Sequence, residues 1–474
     1  MKQSPNSSFL SSVTAFVAIA IFAACNPSLP RPTVTIPTEY LYGENFSQDT
    51  LGIWREWWQI FGDSTLNALE EQALANNHNI EIALSRVEQA RLQLSTTRAT
   101  FLPSFSVGLS VDGKYDNVDK YTINYDIGPS LTWEFGMAGR LKHSLGAARA
   151  AILENEWASR GTILAVTAEV ATTYFTLLQY ERNLDIARRT YALRAESVAL
   201  IDSMFRYGIS SGVDLEQARS LMFTAAADIS QYERALAQTR LTLNTLLGEP
   251  PAETDETGIG LNLLSDFIPI EIPIGLPSDL LHRRPDVMEA FQAMVGSGEK
   301  VGIARAERFP SVAMTISGGI ASDRLKGLVT GMPFVWGATR SLSQPVFAFG
   351  KLKRNEEIAR QAYLQSVATY QQTVLEALAD VEKALVGIET GNIQTERSAD
   401  LVLANGRVAR MTRALYDGGL ADHFNLIDAE RALYESQLQL INLVAQQYIN
   451  YVTLFKALGG GWKTIDNSQF TIDN

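Results

Sequence analysis

Hydrophobic and polar residues alternate strictly along the stretch from Tyr121 to Phe135. Tyr121, Ile123, Tyr125, Ile127, Pro129, Leu131, Trp133 and Phe135 form one series, and Thr122, Asn124, Asp126, Gly128, Ser130, Thr132 and Glu134 form the other. A period of two predicts a strand. About fifteen residues at roughly 3.3 Å each span roughly 50 Å, well beyond the common strand of ~5–6 residues. Two readings fit the pattern. One is a long soluble hairpin. The other is a membrane-barrel strand, which needs ~9–11 residues plus rims and faces lipid on one side and water on the other.

The same alternation precedes it, with Phe105, Val107, Leu109 and Val111 against Ser106, Gly108 and Ser110. The rest of the chain has a helical period. Asp63 and Ser64 can cap a helix running to about Thr100, with Leu66, Leu69, Ala73, Ile80, Val87 and Leu94 on its apolar side. After the hairpin, helical spacing continues from about Met137 to Arg206. Following Tyr207-Gly208-Ile209-Ser210-Ser211-Gly212, it resumes from Asp214 to Leu247. No proline falls between Pro129 and Pro250.

This order is written twice. A second helix starts near Pro285 and ends before Phe309-Pro310-Ser311. A strand with Val312, Met314, Ile316 and Ile320 on one face follows, and a less regular strand lies between Phe334 and Phe347. A long helix then runs from near Gly350 to the turn Tyr416-Asp417-Gly418-Gly419 and returns to Leu458. Gly139 and Gly350, Gly208 and Gly419, Leu215 and Leu426, Ala218 and Ala429, and Leu247 and Leu458 are each 211 positions apart. The unit is therefore helix, hairpin, long helix, shorter helix. Its expected boundaries are 63–248, with a hairpin at 104–135, and 277–458, with a hairpin at 311–347. Residues 249–276 link the two, and 459–474 form a tail. A long helix of about 65–70 residues reaches roughly 100 Å. Rods of that length must lie side by side and bury narrow stripes, as coiled coils do.

At the amino terminus, Lys2 is followed by about twelve mostly apolar residues, Val13 to Ala24, too few for a spanning helix of ~20 but suited to a signal-peptide core. The run ends in Phe22-Ala23-Ala24-Cys25, and Cys25 is the sole cysteine of the chain. Small residues before a cysteine resemble a bacterial lipobox, which implies cleavage after residue 24 and acylation of Cys25. An ordinary secretory signal is the other reading. Residues 25–62 would then be an extended Pro-rich segment closing in Trp54, Trp57, Trp58 and Phe61, an aromatic cluster expected to pack as core rather than bind a ligand.

Composition narrows the function. Among 474 residues the formal net charge is −12, which disfavours a nucleic-acid partner. His78, His143, His282 and His423 have no metal-ligand spacing, and no nucleophile–base pair or phosphate loop is present, so neither an enzyme nor a metal or cofactor site is expected. Four strands cannot close a barrel alone, and open edges are not tolerated in lipid. Membrane strands would require several chains, and three chains supply twelve strands. Asn124, Asp126, Ser130, Thr132 and Glu134 would then face a wet lumen.

The most specific segment is Leu276-Pro277-Ser278-Asp279-Leu280-Leu281-His282-Arg283-Arg284-Pro285-Asp286, continued by Gly302-Ile303-Ala304-Arg305-Ala306 and Phe309-Pro310-Ser311. With Gln344-Pro345-Val346-Phe347 and Leu458-Gly459-Gly460-Gly461-Trp462, it resembles the TolC-like outer-membrane-factor efflux family in its NodT/OprM-type lipoprotein branch. The resemblance implies a mainly α fold with membrane β: a homotrimeric twelve-stranded outer-membrane barrel, four strands per chain, continued by a long periplasmic α-helical barrel. It implies a passive duct carrying drugs or other small molecules. Its partners would be a periplasmic adaptor, an inner-membrane pump of the RND type and outer-membrane lipid. The same architecture serves type I protein secretion, which is the alternative. Within Arg283-Arg284-Pro285-Asp286 the residues themselves point to structure: proline suits the first helical position, aspartate the positive helix end, and arginines can bond carbonyls. The resemblance places the two helix turns at the periplasmic gate and adaptor contact, with Gly208, Ser211, Gly212, Asp417, Gly418, Gly419 and Asp422. The family's constriction acid is displaced here, Ala421 standing where it is common, so Asp417 and Asp422 are the candidates for a ring of charge.

Overall fold

The computed structural model describes residues 29–30, 32, 35–43, 46, 56–116, 120–135, 139–251, 274–275, 277–323 and 334–460. Cys25, the expected signal segment 1–24, Trp54 and Trp462 lie outside them. A 3₁₀ turn at Trp57–Phe61 leads into α1 (Ser64–Asn76) and α2 (His78–Ala99), then β1 (Ser104–Asp116), β2 (Lys120–Phe135), α3 (Arg140–Arg206) and α4 (Gly212–Leu246). The second half gives α5 (Leu280–Arg283), α6 (Pro285–Ala306), β3 (Ser311–Ser322), β4 (Phe334–Ser343), α7 (Lys351–Asp417) and α8 (His423–Ala457). The repeat is thus realised in length as well as order: α3 and α7 each have 67 residues, and α4 and α8 each have 35.

One expected element divides. The first helix, read as continuous to about Thr100, breaks at Asn77, which adopts an extended conformation. Its side-chain oxygen accepts from the Asn79 and Ile80 amides at 2.9 and 3.4 Å, and its amide donates to the Leu246 carbonyl at 2.7 Å. The side chain thereby starts α2 and ties the break to the end of α4, a long-range bond that periodicity does not reveal.

The compact units cut across the repeat. The first takes Ser85–Trp157 and Met288–Thr373 with the chain start; the second takes Thr35–Leu84, Ala158–Val287 and Val374 onward. The first unit holds one antiparallel sheet of order β1-β2-β3-β4. Its register sets Ser106 opposite Ser130, and Ser130 opposite Ser317. On the other face it sets Phe105 opposite Leu131, and Leu131 opposite Ile316. Near the sheet's middle, Gly128 packs against Gly318 and Gly319 so closely that a Cβ on Gly128 would come within 2.1 Å of the Gly318 carbonyl oxygen. In the same unit, Met294, Val301 and Tyr363 form a small core, and the Tyr363 hydroxyl donates to the Pro30 carbonyl at 2.7 Å.

The second unit holds the larger core. Trp57 stacks on Phe455 at 5.3 Å, and Phe61 meets Phe175 edge-on at 5.0 Å, so the described members of the aromatic cluster are core as expected. The Arg284 side chain, 8% exposed, forks onto Asp286, reaches Asp380, and donates to the carbonyls of Ala377 and Ala457 at 3.3 and 3.1 Å. Pro285 opens α6. The arginine–proline–aspartate motif is therefore a structural clasp joining α6, α7 and the end of α8. Arg284→Ala leaves two carbonyls short of a donor and should lower stability by about 3 kcal/mol. Arg284→Lys, lacking the fork, should recover only part of it. Thermal unfolding of the purified protein checks both; equal melting of Arg284→Ala and wild type would refute the clasp.

Candidate functional site

Two surfaces carry the sequence's candidates: the hydroxyl-bearing sheet face and the two helix turns. On β2, Asn124, Asp126, Ser130, Thr132 and Glu134 share one face by register. Thr132 lies opposite Ser104 and Thr315, and Thr315 opposite Thr339. The Ser106 and Ser130 hydroxyls are 2.8 Å apart, and Arg140 pairs with Glu134. The structure therefore extends the candidate polar face to all four strands. The opposite face is an exposed apolar surface: Phe105, Val107 and Leu109 on β1, Ile127 on β2, Ile316 on β3, and Phe334 and Trp336 on β4. The alternation of β4 was weak in sequence because Val335 and Gly337 fall on the hydroxyl face.

The two turns are built alike. Gly208 (φ 72°) and Gly419 (φ 71°) sit in the left-handed region where only glycine is unstrained. At each, two amide donors fold back onto the helix end: Gly208 to Phe205 and Ile209 to Met204, Gly419 to Tyr416 and Leu420 to Leu415. This is a Schellman closure. Gly212 and Gly418 have no such backbone, so the reversal rests on one glycine per turn. The next helices start on equivalent caps 211 positions apart. Ser211 accepts from the Asp214 amide at 3.2 Å and Asp214 accepts from the Ser211 amide at 3.0 Å, a reciprocal capping box. Asp422 accepts from the Asn425 amide at 2.9 Å. Asp422 is thus an N-cap, whatever else its charge does.

Electrostatics link the two turns. The Ser211 hydroxyl and amide hold the Asp214 carboxyl below its usual range. His423 is half-buried, its ring 5.6 Å from that of Tyr416, and neither ring nitrogen has a hydrogen-bond partner. Burial lowers the His423 pKa, and the charges of Asp214, Glu430 and Asp422 oppose that shift. Around the turns the sequence reading missed a crown of exposed apolar residues: Tyr207, Ile209 and Val213 beside the first, Leu420 and Phe424 beside the second. Apolar residues at polar, glycine-rich turns were the available signal.

The sheet has one apolar and one hydroxyl face, the pattern of strands that meet lipid on one side and water on the other, and α3 and α7 are 67 residues long. The family model for outer membrane efflux proteins matches residues 69–249 and 276–460. The chain belongs to that family. It is 30% identical over 452 residues to the probable outer membrane lipoprotein SilC of Salmonella typhimurium, covering 94% of this chain and 97% of SilC. It is 29% identical over 483 residues to the toluene efflux pump outer membrane protein TtgF of Pseudomonas putida, covering 97% of this chain and all of TtgF. The open-state crystal structure of the Neisseria gonorrhoeae MtrE outer membrane channel superposes with a TM-score of 0.79 at 26% identity, covering 92% of this chain and 98% of MtrE. The protein is an outer-membrane channel component of an efflux system, and protein secretion is not favoured.

The depressed His423 pKa has a signed consequence. A neutral imidazole buried in the fold stabilises the turn fully above the unfolded value of about 6.5, and this is lost as pH falls through the lower folded value. Amide exchange at 420–428, corrected for intrinsic rate, should therefore quicken between pH 7 and 5. His423→Phe should flatten that response; an identical response in the variant would count against the assignment.

Proposed function

We propose that three copies of this chain close one twelve-stranded barrel, are anchored by an acylated Cys25 in outer-membrane lipid, and form a passive duct for drugs or other small molecules. A periplasmic adaptor docks at the helix turns and connects the duct to an RND-type inner-membrane pump, which supplies the energy. The carrying observation is the sheet itself. β1 and β4 are edge strands, and the apolar face beside them is exposed. Unpaired strand edges cost several kcal/mol per backbone group in lipid, so pairing with further copies is the stable arrangement. The exposed crown at the turns suits a protein partner.

Asp417 and Asp422 are the gate acids in this reading. Asp417 ends α7, where a negative charge opposes the helix dipole. A residue serving the helix alone is poorly placed there, which favours a role outside it. Three copies would concentrate six carboxylates at the mouth.

Native mass spectrometry of protein extracted from membranes tests the assembly. The expected species is a trimer of chains starting at Cys25, each heavier by acyl chains; a monomer retaining earlier residues would overturn it. For the gate, Asp417→Asn with Asp422→Asn removes charge while asparagine preserves the cap. Single-channel conductance in planar bilayers should rise severalfold, and unchanged conductance would remove these acids from the gate.

A further inference from the structure

A cleft of about 730 Å³ opens within the second unit between α3, α7 and α8. Arg182, Arg189, Arg194, Arg407, Arg410 and Arg413 line it, against two acids, Asp185 and Glu430. In a chain with a net charge of −12, this is a local reversal of sign. Ion pairs engage three of the six, and the charges of Glu430, Asp228 and Glu435 act on Arg194, which leaves Arg407 and Arg410. Asp185 is shared by Arg182 at 3.4 Å and Arg189 at 2.9 Å, while Glu430 takes Arg413. Arg194 is buried, 4% exposed, with one N–H donated to the Leu221 carbonyl at 2.7 Å and its guanidinium 4.9 Å from the Tyr434 ring centre. Its Nε is buried without a partner. Among the described residues, Arg407 and Arg410 make no ion pair or hydrogen bond. Like charges three residues apart on one helix repel, so the stability of α7 does not account for that pair.

Aliphatic side chains lie between the guanidiniums. Leu193 and Leu403 are exposed in the walls, with Leu433 and Ile441 from α8. Counting at 1.5 Å per residue along α7, Arg410 and Arg407 lie roughly 10 and 15 Å from Asp417. Its volume falls in the ~300–1,000 Å³ range of small-molecule sites. Guanidinium forks match the oxygens of sulfate, phosphate and carboxylate, while the leucines would shelter a hydrocarbon chain.

We propose that this cleft binds a small anionic amphiphile, its head on Arg194, Arg407 and Arg410 and its chain along Leu193, Leu403 and Leu433. The site is separate from the gate and gives the periplasmic helices a ligand of their own, independent of how the turns meet a partner.

The test is calorimetric titration of the full-length protein in nanodiscs, with empty nanodiscs subtracted. Three probes are used: octyl sulfate, octyltrimethylammonium and inorganic sulfate. Octyl sulfate should saturate one site per chain and weaken as salt is raised. Arg407→Gln with Arg410→Gln should weaken it at least tenfold. Leu403→Gln, at an exposed position, should weaken octyl sulfate and leave inorganic sulfate unaffected, so the proposal stays testable if the double variant fails to assemble. Equal binding of the cationic probe, octyl sulfate binding unchanged in the variants, or inorganic sulfate binding as tightly as octyl sulfate would each overturn it.

Discussion

Backbone hydrogen bonding along the outer edges of β1 and β4 is the constraint on which the rest depends. Four strands satisfy three seams and leave two edges unpaired. In water those edges would be solvated; in hydrocarbon they have no alternative but another strand. The two hairpins come from opposite halves of the chain, and the β2–β3 seam joins them. Gly128, Gly318 and Gly319 let that seam close where side chains would block it, and Pro129, which has no N–H to donate, sits in the same gap. A membrane wall therefore requires the duplication first and further copies second.

Duplication also explains why one set of local devices recurs. The left-handed glycines at 208 and 419 close α3 and α7 with the same pair of carbonyl contacts, and Gly248 and Gly459 do so for α4 and α8. The N-caps that follow the turns have diverged chemically, a serine in one half and an aspartate in the other, while keeping the same bond to the third residue of the helix. The two turns thus share a backbone and differ in charge. Where the first turn has Gly212 the second has His423, whose half-buried imidazole lies near Asp214 of the other turn, so the two turns are not equivalent.

Arginine shows how one side chain takes opposite roles within this fold. Arg284 has every direction of its fork occupied, by carboxylates and carbonyls from three elements, and it fixes the helices there. Among the described residues, Arg407 and Arg410 of the cleft make no ion pair or hydrogen bond of that kind. Satisfied guanidiniums hold a structure together; unsatisfied ones beside aliphatic walls leave room for a ligand.

The sequence by itself determined the elements, because period two, period 3.6, long proline-free runs and a spacing of 211 are properties of neighbouring residues. It determined the paired helix lengths, the hydroxyl face of β2 and the helix-starting role of Pro285 and Asp286, each readable within one or two turns of chain, whereas the contacts that make Arg284 a clasp lie 93 to 173 positions away. The tertiary structure alone decided the break at Asn77, which hangs on a carbonyl 169 positions away. It alone placed Val335 and Gly337 on the hydroxyl face, since register is set by the partner strand. It also gathered arginines from two distant helices around one cleft. In each case the deciding partner is remote in sequence, and local periodicity carries no record of it.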